Sequence, residues 1–302
     1  MDTLVKLNPL PSDLWVYLSI DISIAFVLLF IVRWFSGRIS GVSVTNELGS
    51  KDNFAFGISM AGRMLSLCLV LGSVVGRHVG EGYQSAAIGM ILFGFVGIGL
   101  VRIGRYAHDK LVLNRLDKDK MIDEKNVSVA IVDAASAIAS AIMLKSMLQW
   151  VEGTDVNALI AITSGFVVVL VVLLLMTRFY ELRFASNNQN DSFQKVLCKG
   201  HMAAAIEHSG NLIGTALVVS TAATLLQYDA QTYVSNITGW LITSLALAVA
   251  LLVLVTIAKR VVLNGLNWKQ EVDQQHNIGV AAIQCVLSIG IAFIVIGIFT
   301  QA

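Results

Sequence analysis

The chain has 302 residues, 56% of them apolar and only 14% charged, with a formal net charge of +1. Soluble domains carry roughly a quarter charged residues, so a solvated globule is excluded, and a near-neutral balance gives no footing for nucleic acid. Cys68, Cys198 and Cys285 stand far apart without a CxxC pair, which predicts neither disulfide nor structural zinc.

A hydrocarbon core about 30 Å thick takes roughly 20 helical residues. Met1 to Asp13 lacks the basic region and small-residue cleavage site of a signal peptide, so the first apolar stretch is expected to stay. Apolar stretches then predict spans at 14–35, 54–75, 84–101, 127–149, 158–177, 202–226, 238–258 and 278–299. Lipid cannot satisfy an open strand's backbone, so the fold class is an all-α integral membrane protein with eight transmembrane helices. Two four-helix halves, 1–153 and 154–302, divide the chain.

Seventeen of the twenty-one Lys and Arg residues follow spans one, three, five and seven, among them Arg33, Arg102, Arg105, Lys118, Arg178 and Lys259. The opposite side has Lys6 and Arg77 against Asp2, Asp13, Glu81, Glu152, Asp155 and Asp229. The positive-inside rule therefore places the longer connectors in the cytoplasm and both termini outside. Trp15, Tyr83, Trp150, Tyr233 and Trp240 are expected at the outer boundary, and Trp34, Tyr106, Tyr180 and Trp268 at the inner one. The 102–126 connector reads as a solvated helix extension, with His78 and His108 as ordinary solvated residues.

The even-numbered spans begin alike: Asn53 to Ile58 (NFAFGI), Asn126 to Ile131 (NVSVAI), His201 to Ile206 (HMAAAI) and Asn277 to Ala282 (NIGVAA). Nine and thirteen residues on stand Gly62 and Ser66, Ala135 and Ala139, Gly210 and Gly214, and Val286 and Gly290, mostly small residues that let helix backbones approach in lipid. Each unit holds two spans, so four parallel two-helix repeats are expected, with the small-residue helices central and bulkier helices such as 158–177 facing lipid.

Lys199 to Glu207 (KGHMAAAIE), continuing to Gly210-Asn-Leu-Ile-Gly214, resembles the Gly-Asn-x-Ala-Ala-Ala-Ile-x-x-x-Gly segment of the YjfL-like bacterial inner-membrane family, domain of unknown function 350. Asn277 to Gly290 is similar to that family's second hairpin. Asp133 and Arg63 depart from it, standing where the family pattern is apolar or small. The usual member has four spans, so this chain resembles two copies fused. The resemblance implies bacterial inner-membrane residence, no established activity, and relatives encoded beside phage-shock-type membrane-stress proteins.

Charges inside spans are costly, about 3 kcal/mol each at mid-bilayer on insertion scales, so they face protein or water. Asp21, Arg63, Asp133, Lys145 and Glu207 are such charges, with Lys145 near enough to its span's end to snorkel. In the aligned units Glu207 lies six residues past the first position, Asp133, His208 and Gln284 seven, and Arg63 and Asn211 ten. These offsets share a helical face, so Arg63, Asp133, Glu207, His208, Asn211 and Gln284 form a candidate polar cluster about 10–15 Å from the inner ends. Arg63 pairing with Asp133 or Glu207 as a bundle-holding contact is the plainer reading. Cys198, His201 and His208 guarantee no convergent metal set, and no metal or cofactor is expected.

No GxSxG, HExxH or Walker sequence occurs, and no enzyme activity is expected. Two functions stay open: a channel or transporter-like bundle for ions or protons, and a non-conducting scaffold whose basic connectors dock anionic lipid or a stress-response partner. The lipid bilayer and a second copy of the chain are the other partners considered.

Overall fold

The computed structural model describes residues 12–75, 82–189 and 191–301; Lys6, Arg77, His78 and Glu81 lie outside them. Its α-helices are α1 (Leu14–Ser40), α2 (Phe54–Val74), α3 (Tyr83–Leu111), α4 (Lys118–Asp123), α5 (Val127–Trp150), α6 (Val156–Asn187), α7 (Phe193–Cys198), α8 (Met202–Ser220), α9 (Ala222–Leu225), α10 (Tyr233–Val262), α11 (Trp268–Asp273) and α12 (Ile278–Gln301). A π-helical turn, Asn46–Ser50, precedes α2, and the described residues contain no strand. Among the described residues, eight helical stretches are long and apolar enough to cross a membrane, with α8 and α9 forming one of them. Phe26, Phe30, Leu175, Val253 and Ile294 are exposed along these helices, a surface suited to lipid and not to water. The protein is a polytopic, all-helical membrane protein. Its three cysteines are free.

Each even-numbered span begins with the same local construction. The side chains of Asn53, Asn126, His201 and Asn277 accept the backbone N–H of Phe56, Val129, Ala204 and Val280, at 3.0, 3.1, 3.3 and 3.1 Å. Each satisfies one of the orphan N–H groups of a helix start. The preceding residues, Asp52, Lys125, Gly200 and His276, all take positive φ, between 47° and 79°. This left-handed residue stops the short helix or π turn before it and turns the chain into the span.

The caps also join successive units. Asn53 Nδ2 donates to the Ile122 carbonyl at 3.0 Å, and Asn126 Nδ2 to the Leu197 carbonyl at 3.0 Å. Both carbonyls lie four residues before the next unit's cap. The His201 ring is directed at the Asp273 carbonyl in the same register, short of a full hydrogen bond at Nε2. Consecutive caps therefore sit side by side, and α2, α5, α8 and α12 run the same way in one row, α2 on α5, α5 on α8, and α8 on α12.

Close approach along that row depends on small residues. A Cβ on Gly62 would lie 2.5 Å from Ala134 Cα, one on Gly210 2.4 Å from Cys285 Cα, and one on Gly214 2.7 Å from the Ser288 carbonyl. Ser66, Ala135 and Ala139 are buried. Gly290, expected to pack likewise, meets nothing within 4 Å, because α12 ends the row.

A second row covers the first: α3 lies against α2 and α5, α6 against α5 and α8, and α10 against α8 and α12. This corrects the expected division into central even and lipid-facing odd helices. The most apolar stretch of α6 is more than half buried, whereas α12 is among the least buried spans, since position in the row decides exposure. Trp240, expected in an outer belt, is fully buried with its ring 5.3 Å from that of Trp150.

Candidate functional site

Asp133 is fully buried on α5, and the helices around it supply its partners. From α3, Arg105 Nη2 reaches its two oxygens at 2.7 and 3.0 Å while Nε lies 3.2 Å from Oδ1. Lys118, at the start of α4, brings Nζ to 2.9 Å, and Ser59 of α2 donates its hydroxyl at 2.5 Å. Arg63 Nη2 stands at 3.7 Å, and Lys118 also pairs with Asp109 of α3. A bidentate guanidinium with two further donors supplies nearly all the hydrogen bonds a carboxylate accepts. The sequence places Arg105 and Lys118 in a solvated connector, but α3 runs on past residue 101 to Leu111 and carries Arg105 into the core.

Beside this cluster, α1, α2 and α3 bound a cleft of about 410 Å³. Its walls are apolar, with Ile31, Phe35 and Ile39 from α1, Leu67 from α2, and Phe95 and Ile98 from α3. Arg63, Arg102, Arg105 and Lys118 line its charged end with Asp109 and Asp119. With Asp133 behind that wall, four cations face three carboxylates, a surplus of one positive charge. Arg63 Nε is buried there without a partner.

The second half holds a separate charge group. Lys259 of α10 donates to Glu207 of α8 at 2.7 Å, in a smaller cavity of about 60 Å³ that Lys269 and Asp273 also line. Asp273, on α11 outside the spans, has its pKa pushed up to about 7 by burial first and then by neighbouring Glu207, against Asn188, Lys259 and Lys269, which favour its charge.

The six candidate residues thus occupy several distinct contacts. Arg63 and Asp133 are paired as the plainer reading has it, and Glu207 belongs with Lys259. Asn211 Oδ1 accepts from Ser288 on α12 at 2.9 Å, and Gln284 Nε2 lies 3.4 Å from the Trp268 carbonyl. His208 is buried against Phe193, ring centroids 4.5 Å apart, and 6.0 Å from the His108 ring. His108 is only 2% exposed, which corrects its reading as solvated: the prolonged α3 takes it inside. No group of three metal-ligating side chains occurs among the described residues.

Sequence reasoning missed Ser59, Arg105, Lys118 and Lys259 as partners. The signal for Arg105 was present, since no helix stop separates it from the span before it.

The family model described as Domain of Unknown Function (DUF350) matches residues 7–148 and again 154–299. No curated protein and no solved structure matches the chain. Two successive matches over nearly the whole length agree with two halves built on the same cap and the same helix contact, and the chain belongs to the Domain of Unknown Function (DUF350) family as a tandem duplicate.

Proposed function

We propose that this protein is an anion-handling, transporter-like membrane protein whose first half binds a phosphate-type oxyanion, free or heading an amphiphile, between α1, α2 and α3. The cleft carries this reading, because it joins apolar walls to an arginine-rich end with one surplus positive charge. Guanidinium groups match the geometry of phosphate oxygens, and an acyl chain fits the wall of Ile31, Phe35, Leu67 and Phe95. An ion or proton path through the polar groups of α2, α5, α8 and α12 has less support, because those groups engage separate partners.

We read the eight spans as four like-oriented two-helix units in a bacterial inner membrane, both termini outside. The basic connectors after the odd spans support that orientation. A non-conducting scaffold is the second reading. The closed contacts at Asp133 favour it, and its basic connectors would dock anionic lipid or a cytoplasmic stress-response protein. Neither reading assigns catalysis to the chain.

The test uses the whole protein in nanodiscs, measured by native mass spectrometry and thermal melting. Phosphatidylglycerol should be retained and raise the melting temperature over phosphatidylcholine, and Arg63→Gln with Arg102→Gln should abolish the difference. Stabilisation by inorganic phosphate alone would assign a free anion. No selectivity among the three, or selectivity that survives both substitutions, overturns the proposal. Phosphate or lipid movement in liposomes then separates carrier from scaffold.

A further inference from the structure

We infer that copies of this chain associate head to tail in the membrane, α12 of one against α2 of the next, in the register that already joins the units within it. That contact occurs three times along the row, and once, between α5 and α8, it joins one family segment to the other. The residue nine positions after one cap receives the residue eight positions after the next: Gly62 lies against Ala134, and Gly210 against Cys285. The two ends of the row leave both sides of this register unfilled. On α12 the receiving positions are Val286, which is exposed and larger than the Gly62, Ala135 and Gly210 that receive within the chain, so that the neighbour sits at a wider spacing there, and Gly290, with open space around it. On α2 the inserting position is Ala61, which is exposed as well.

Two independent features continue the pattern across the gap. Asn277 donates to its own Glu271 at 2.8 Å and reaches no following unit. Asn53 makes the corresponding bond to Glu47 and, in addition, the bond to the next unit. Among the described residues, the carbonyls four and three residues before Asn53, those of Gly49 and Ser50, are correspondingly reached by none of the four cap side chains. Moreover, α3, α6 and α10 each bridge two helices of the first row, whereas α1 packs on α3 and, within the first row, chiefly on α2, leaving its other flank for α12 of a neighbour. A second copy supplies the missing half at both ends. The interface is heterologous, so an open assembly keeps one free end of each kind unless it closes into a ring.

The experiment places Ala61→Cys and Val286→Cys on separately tagged full-length chains without native cysteines, co-expressed and oxidised in native membranes. The internal contacts bring the corresponding Cβ positions within disulfide reach. The expected result is a mixed-tag cross-linked dimer, lost when Gly290→Leu is added to the Val286→Cys chain, and a ladder of multimers when one chain carries both cysteines. Native mass spectrometry of Gly290→Leu should show monomer at an unchanged melting temperature. No mixed dimer, a dimer of Ala61→Cys chains alone, or a link closing within one chain would each overturn the inference.

Discussion

Arg105 and Asp133 join the two rows of helices, with one guanidinium nitrogen 2.7 and 3.0 Å from the two carboxylate oxygens. Breaking a buried pair from one side strands the other charge and costs about 3–5 kcal/mol. Asp133→Asn should therefore lower the melting temperature in detergent sharply, because it leaves Arg105, Lys118 and Arg63 facing a neutral amide. Arg105→Gln should be milder, since Lys118 remains on the carboxylate. The double variant should lose less than the sum of the two. Strict additivity would show that the two groups are not coupled.

Asn126 has two tasks, and substitutions separate them. Its oxygen caps α5, a role worth about 1 kcal/mol, and its nitrogen holds the Leu197 and Cys198 carbonyls of the next unit. Asn126→Ser keeps the cap and drops the reach, while Asn126→Ala drops both. Melting temperatures should fall in the order wild type, Ser, Ala. Equal losses for Ser and Ala would assign the whole effect to the reach between units.

Asp273 gives the fold a pH dependence. Burial and Glu207 raise its folded pKa from the usual carboxylate value to about 7, so the folded chain holds this proton more tightly than the unfolded one. Its contribution to stability is then present at acid pH and declines as pH rises from about 4 through about 7. The groups facing it are Glu207, Lys259, Lys269 and Asn188. Asp273→Asn should melt higher than the wild type at pH 8 and alike at pH 4.5. A variant that melts lower at pH 8 would show the ionised carboxylate to be favourable in place.

Glycines of the two helix rows should divide by what surrounds them. A methyl group on Gly62 would meet Ala134 backbone at 2.5 Å, so Gly62→Ala must push α2 and α5 apart and should destabilise. Gly99 of α3 has open space, and Gly99→Ala should be neutral or slightly stabilising through helix propensity. Equal effects of the two, read by thermal melting, would deny that close backbone contact holds the row together.

Much of the architecture is legible in residue types at fixed spacing. Asn53, Asn126, His201 and Asn277 mark four helix starts because each must cap one, and the small residues nine positions on follow from packing without bulk. The pairing of Arg63 with Asp133 follows from the cost of burying either alone. Arg105, Lys118 and Lys259 are missed as partners because charge at a span's end is read as solvated, although the lack of a helix stop after residue 101 already carries the helix on to Arg105. His108 is lost from view for the same reason. The exposure of α12 depends on its place at the end of a row, which no local pattern encodes.

On the proposed topology the connectors carrying Lys51, Lys120, Lys199 and Lys269 all lie on one side of the membrane. Single cysteines at these positions in a cysteine-free chain, labelled in intact cells and in inverted vesicles with an impermeant maleimide, test it directly. All four should label only in inverted vesicles, and cysteines replacing Glu152 and Asp229 only in intact cells. Any of the four connectors labelled from the same side as Glu152 would contradict it.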